Sequence, residues 1–176
     1  MTTIEVEIKG KTPLMQHRYL GEEVRVKKAG EKPTKEQEVE QALYRRGDGT
    51  IYQPGESIKR AMVGVASDFQ IPGRGKKTYK QSIAGSINIP PEIPLEPQIY
   101  VVDARRVVIP ATRGAQIRYR PKFEEWKLAF EIELLEEDID PEVVKAILTS
   151  AGHKVGIGDN RLNGFGRFEV ARWEVR

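Results

Sequence analysis

The sequence predicts an α+β fold built as one domain, and three observations lead there. Residues 2–9, 123–135 and 167–175 alternate apolar and polar side chains as half-buried strands do. Residues 54–69 and 141–150 carry apolar residues at helical spacing. The elements then follow the order strand, helix, strand, strand, helix, strand. A chain of 176 residues, 39% hydrophobic and 31% charged, is globular in composition and long enough to bury a core without covalent staples.

Taken in order, Ile4, Val6 and Ile8 point one way from the first strand, with Thr3, Glu5 and Glu7 opposite. Residues 20–33 are charged and punctuated by Gly and Pro, which reads as a loop. Thr34 with Gln37 forms a capping box, so a helix runs from there to about Tyr44. Asp48-Gly49 marks a turn before a short strand at Thr50-Ile51-Tyr52. Pro54-Gly55-Glu56-Ser57 opens the clearest helix, whose inner face is Ile58, Ala61, Met62, Val65, Ala66 and Phe69. After a loop over residues 72–80, the stretches Ile83–Ile89 and Ile99–Ile109 read as strands, separated by Pro90, Pro91, Pro94 and Pro97. Thr112 to Ala115 is a turn, and a long strand covers about 123–135. Asp140 caps a helix over 141–150, and Arg167–Val175 is the last strand. Without insertions at about 10–53 and 71–97, this is the ferredoxin-like, RNA-recognition-motif-like βαββαβ unit, an antiparallel sheet with both helices on one face.

Composition removes several functions. With no cysteine, disulfides, cysteine-held zinc and thiol nucleophiles are excluded. No apolar run approaches the roughly 18 residues of a membrane span. The N-terminus lacks a basic stretch followed by an apolar one, so a cytoplasmic location is expected. Asp48, Asp103 and Asp159 are too scattered for a two-metal centre, so neither a metal nor another cofactor is expected. Net charge is only +3, so a nucleic-acid-binding case rests on where the cations fall.

The topology brings three connections to one end of the sheet: the link after strand one with His17, Arg18 and Tyr19; the turn with Arg113; and the segment 156–166 before the last strand. That segment holds Gly156, Gly158, Gly164 and Gly166 with Lys154, Arg161 and Arg167 beside them. Backbone N–H groups next to guanidinium are a phosphate-binding combination, whereas a turn that merely lets the last strand pack needs the glycines alone. In the loop 72–80, Arg74, Lys76, Lys77 and Lys80 carry four positive charges with no acid among them, and Tyr79 offers a ring for stacking. This suits single-strand binding, or simply a solvated loop. Arg118, Tyr119 and Arg120 form a third basic group, with a charged strand edge as the plain alternative. The acids Glu131, Glu133, Glu136, Glu137, Asp138, Asp140 and Glu142 cluster elsewhere, so one end of the molecule is negative and head-to-tail homo-oligomers are conceivable.

The run GIGD…GFGRFEV, placed between the last helix and the last strand, resembles the C-terminal glycine-rich loop of the RAMP superfamily of CRISPR-associated, ferredoxin-like proteins. It is also similar to phage-encoded proteins that share this ending and a Thr12-Pro13-Leu14…His17 segment. The resemblance implies single-stranded nucleic acid bound along the sheet and its loops, assembly along the strand in some members, and roles for Gly156, Gly158, Gly164, Gly166, Arg161 and Arg167. It further implies, for a subset, RNA cleavage without metal, for which His17 is the candidate base. The expected function is therefore sequence-independent binding of single-stranded DNA or RNA without a membrane partner. A His17-dependent endoribonuclease and a phage structural or assembly protein are the alternatives.

Overall fold

The computed structural model describes residues 1–20 and 32–176; residues 21–31, within the loop expected at 20–33, lie outside the described part. Its elements are β1 (Thr2–Gly10), β2 (Leu14–Met15), α1 (Lys35–Ala42), β3 (Tyr52–Pro54), α2 (Gly55–Val65), α3 (Lys80–Ser86), β4 (Ile87–Asn88), β5 (Glu92–Pro94), β6 (Val101–Val108), β7 (Ala115–Phe123), β8 (Lys127–Leu134), α4 (Pro141–Lys154) and β9 (Phe168–Val175).

Four of the strands form an antiparallel sheet in the order β9-β1-β8-β4. Counted along the core unit, that is fourth, first, third, second, the ferredoxin-like arrangement. The register sets Ile4 opposite Ile132, Val6 opposite Phe130 and Ile8 opposite Leu128, so one face of the sheet is continuously apolar. On it pack Ile58, Ala61, Met62 and Val65 of α2 and Val144, Ile147, Leu148 and Ala151 of α4, all buried. Each fully buried aliphatic side chain contributes about 1.5–3 kcal/mol, which is why this sandwich organises the chain. The expected caps are present. Thr34 Oγ1 accepts the Gln37 N–H at 3.2 Å while the Gln37 side chain returns to Thr34 at 3.0 Å, and Asp140 accepts the Glu142 N–H at 2.9 Å.

The second core strand is not where the alternation places it. Residues 101–108 pair with β7 from Val101↔Lys122 to Val108↔Ala115, forming a hairpin outside the main sheet, while Ile87 and Asn88 pair with Leu134 and Glu133. The physical reason is burial: β6 is exposed on both sides, Val101 by 45% and Val108 by 63%, and a strand exposed on both faces does not belong inside a core. Residues 83–86 also differ, being the end of the short helix α3, with Ile83 its buried anchor. The strand expected from 123 starts at Lys127, because Phe123 ends β7 and Glu124-Glu125 turn the chain. Beyond the sheet, β7 carries β2 on its other side, and β3 pairs with β5. Among the described residues no helix is long and apolar enough to cross a membrane.

The opposite face of the main sheet is acidic. Glu5, Glu7, Glu131, Glu133, Glu169 and Glu174 lie on it, against Lys9, Lys127 and Arg172, as the register dictates. Glu5 faces Glu131 on one side and Glu174 on the other, and Arg172 and Arg176 pair with it. No aromatic ring stands among them.

Candidate nucleic-acid interface

The segment after β1 and the glycine-rich segment before β9 are stitched together backbone to backbone. Thr12 Oγ1 donates to the Gly164 carbonyl at 2.7 Å and accepts the Arg167 N–H at 2.9 Å. Pro13 O accepts the Gly166 N–H at 2.8 Å, and Met15 O accepts the Asp159 N–H at 2.8 Å. Two glycines are required by this closeness. Gly166 sits at φ +75° and any Cβ there would strike the Ile157 carbonyl oxygen; Gly158, at φ +82°, would bring a Cβ to 2.5 Å from Met15 O. The N–H groups of Gly156, Gly164 and Gly166 donate to the carbonyls of Ala151, Arg161 and Pro13. The glycines thus serve chain packing first; Ile157 beside them is buried, while Arg161 and Leu162 are exposed.

Three concavities follow from this stitching, and they share walls. One, of about 380 Å³, lies between the segment after β1, the start of α2 and the loop 157–161; it is lined by His17, Tyr44, Glu56, Arg60, Gly158, Asp159 and Arg161 among others. A second, of about 520 Å³, is lined by His17, Arg18, Glu38, Arg118, Tyr119 and Arg120, between α1 and β7. A third, of about 690 Å³, runs along Lys154, Gly158, Asp159, Arg161, Leu162 and Arg167. His17 joins the first two; Gly158, Asp159 and Arg161 join the first and third. Taken together as a groove, their walls carry seven permanent cations, Arg18, Arg60, Arg118, Arg120, Lys154, Arg161 and Arg167.

Each acid in the groove has a partner. Glu38 lies 3.6 Å from Arg118, Glu56 lies 2.6 Å from Arg60, and Asp159 binds Arg120. Outside it, Asp68 holds Lys154 at 3.1 Å. Arg18 and Arg161 form no ion pair among the described residues, and Arg167 donates to the His153 carbonyl at 2.6 Å. Crowding by its surroundings lowers the pKa of His17 below the ordinary 6.5, and the Arg120 and Arg118 charges lower it further against Asp159 and Glu38. Both effects favour the neutral imidazole.

The groove thus gathers His17, Arg118, Tyr119, Arg120, Lys154, Gly158, Arg161 and Arg167, with Gly156, Gly164 and Gly166 in the supporting loop. Tyr119 has the Lys35 ammonium 5.5 Å from its ring centre, and Arg105 of β6 lies over Phe165 of the glycine segment at 4.7 Å. Arg113 is elsewhere: it occupies the hairpin turn at φ 52°, two residues before β7 begins. At about 3.4 Å per residue the strand from Ala115 to Arg120 alone spans about 17 Å. Arg74, Lys76, Lys77 and Lys80 are exposed on their own turn, and Tyr79 packs against the core, its backbone N–H bonded to Phe69 O at 3.0 Å. The base of that turn comes near the groove through the Asp68–Lys154 pair. Sequence reading named Arg18 only with the link after strand one, and it missed Arg60 and Tyr44. Arg60 carries a weak signal, an arginine on the polar side of an amphipathic helix; Tyr44 carries none.

The fold has relatives among solved structures. One chain, from Type III-B Cmr-beta bound to cognate target RNA, superposes with a TM-score of 0.62 at 15% identity, over 99% of this chain and 60% of that one. Cmr6 from Pyrococcus furiosus superposes with a TM-score of 0.53 at 13% identity, over 97% of this chain and 99% of that one. At 13–15% identity the likeness is one of fold, the fold that the resemblance of the glycine-rich segment led us to expect. This chain spans 60% of the length of the Cmr-beta chain. No protein-family model matches the sequence, and no curated protein does.

Proposed function

We propose that this chain binds single-stranded nucleic acid, with RNA as its natural form, along the cationic groove. One observation carries the reading: three adjoining concavities with common lining residues bring together Arg18, Arg60, Arg118, Arg120, Lys154, Arg161 and Arg167. Cations that follow a backbone, with a ring at Tyr119 for stacking, suit sequence-tolerant single-strand binding. The acidic sheet face repels phosphate, so the strand avoids the surface that an RNA-recognition motif uses. RNA is favoured over DNA because a structural neighbour is described as bound to its target RNA. The turn with Arg74, Lys76, Lys77 and Lys80 extends the track past Lys154, and the opposite charges of the sheet face and the β6–β7 hairpin favour head-to-tail copies along one strand.

The test is fluorescence anisotropy of labelled U12 and dT12 across a salt series with EDTA. About five phosphate contacts give a slope of log affinity on log salt of about −3.5. Arg18→Ala/Arg161→Ala should lower affinity alike for both oligonucleotides. Absence of binding at low salt, or an unchanged double variant, refutes the reading. A second reading, metal-independent RNA cleavage, rests on His17 standing in the wall of two concavities, where its surroundings favour the neutral imidazole that a general base must be. RNA cut in EDTA by the native chain and not by His17→Ala establishes it.

A further inference from the structure

We infer that the cavity beside Tyr44 is a nucleobase subsite, taking one base turned inward from the strand in the groove. This rests on the groove reading above. The cavity, of about 380 Å³, is the size of a single nucleoside and opens to the groove at His17 and Arg161. Among the described residues, Tyr44 is the one aromatic residue of its lining, with its ring set against Tyr52, centroids 5.7 Å apart and planes inclined at 56°. A ring so backed presents a fixed face.

The floor explains why Tyr44 stays in place. Gln16 and Gln53 are 1% and 2% exposed, and burying amides is costly unless every polar atom is bonded. Here they are. Gln16 Nε2 donates to Tyr52 O at 2.8 Å and to Gln53 Oε1 at 3.1 Å, and Gln16 Oε1 accepts the Tyr44 N–H at 3.0 Å. Gln53 Nε2 donates to Ser57 Oγ at 3.0 Å, which donates to Pro54 O at 2.6 Å. This network clamps the backbone of both tyrosines to the first turn of α2. With each amide nitrogen and oxygen already bonded within the protein, the floor is held in place, and the Tyr44 side is the surface available for stacking. At the rim the Glu56–Arg60 pair sets an acceptor beside a donor, and the Watson–Crick edge of every base presents both. The subsite therefore adds affinity for any base, in keeping with sequence tolerance. His17, shared with the Tyr119 concavity, lies where the phosphate between two bases would pass.

The experiment compares the native chain, Tyr44→Phe and Tyr44→Ala with labelled U12 across salt. Tyr44→Phe should bind within twofold of native. Tyr44→Ala should bind about tenfold more weakly, the loss of one stacked base. Its salt slope should not change, since no phosphate contact is removed. Native affinity in Tyr44→Ala overturns the inference and leaves the groove standing; a lost slope assigns Tyr44 to backbone contact and also overturns it. If the native chain itself fails to bind, the groove reading falls and the subsite with it. Should Tyr44→Ala not fold, photocrosslinking of 4-thiouridine RNA to the native chain decides: a crosslink at Tyr44 supports the subsite, and crosslinks only elsewhere refute it.

Discussion

Asp159 offers a test in which binding and stability move in opposite directions. Its carboxylate neutralises Arg120 and lies in the wall that two of the three concavities share. A phosphate reaching Arg120 must displace it. Asp159→Asn removes the competing charge, keeps an acceptor for Arg120, and leaves the Asp159 N–H to Met15 O bond, 2.8 Å long, untouched. The gain can be worked from counterion release. One more phosphate contact steepens the salt slope by about 0.7, which from 1 M to 0.1 M salt amounts to about 0.7 log units, or fivefold tighter binding. The same change weakens a charge-assisted bond between side chains only 20% and 28% exposed. That costs about 1 kcal/mol, a fall in Tm of about 2–4 °C for a domain of this size. Anisotropy with U12 from 0.05 to 1 M salt, beside thermal melts, reads both quantities. A variant that melts lower and also binds more weakly would show that Asp159 only shapes the loop and that phosphate does not reach Arg120.

Four further outcomes are expected. Gly166→Ala, at φ +75° and against the Ile157 carbonyl, should destabilise by about 2–4 kcal/mol, seen as a lower denaturation midpoint with an unchanged m-value; a native midpoint would contradict the packing role. Since the folded-state pKa of His17 is held below 6.5, the unfolded chain binds more protons as pH falls below that value, so His17 makes stability decline there, and His17→Gln should remove that part of the pH dependence. In binding, a nearby phosphate favours the charged imidazole, so RNA affinity should rise from pH 7.5 to 5.5 in the native chain and less in His17→Gln, measured at fixed salt. Lys76→Glu/Lys77→Glu should weaken binding of a 20-mer more than of an 8-mer if the turn extends the track; equal losses on both lengths would deny it.

How much of this was legible in the sequence follows from what each signal reports. Ile4, Val6 and Ile8 on one strand and Ile58 to Val65 on one helix announce a core because periodicity records burial directly. The capping pairs Thr34/Gln37 and Asp140 are local, and they are found where the sequence puts them. The second core strand was misplaced because Ile87–Asn88 is too short to show a period, while Val101–Val108 has a strand's composition and the sequence does not name its partner. The candidate site divides in the same way. Arg161 and Arg167 stand beside glycines that mark a loop. Tyr44 reaches the groove only through Gln16, 28 residues earlier, and Gln53, buried amides that a linear reading would place on the surface.

The acidic sheet face gives the insertions their meaning. On a bare ferredoxin-like unit the open face is the broad surface for a strand of nucleic acid, but here Glu5, Glu131 and Glu174 stand side by side across β8, β1 and β9. Like charges so paired are destabilising, and they persist only with compensation, which Arg172 and Arg176 supply at Glu5. Phosphate is thus excluded from the sheet by charges that the fold does not need. The cations stand instead beside the sheet: Arg18 after β2 and Arg118 and Arg120 on β7, which are added to the unit, with Arg60 on α2 and Arg161 in the connection before β9. Reversing the face with Glu131→Lys/Glu133→Lys separates the two surfaces. If the strand follows the groove, U12 affinity stays within twofold of native at 0.15 M salt, where screening acts over about 8 Å. A large gain would instead place the strand on the sheet.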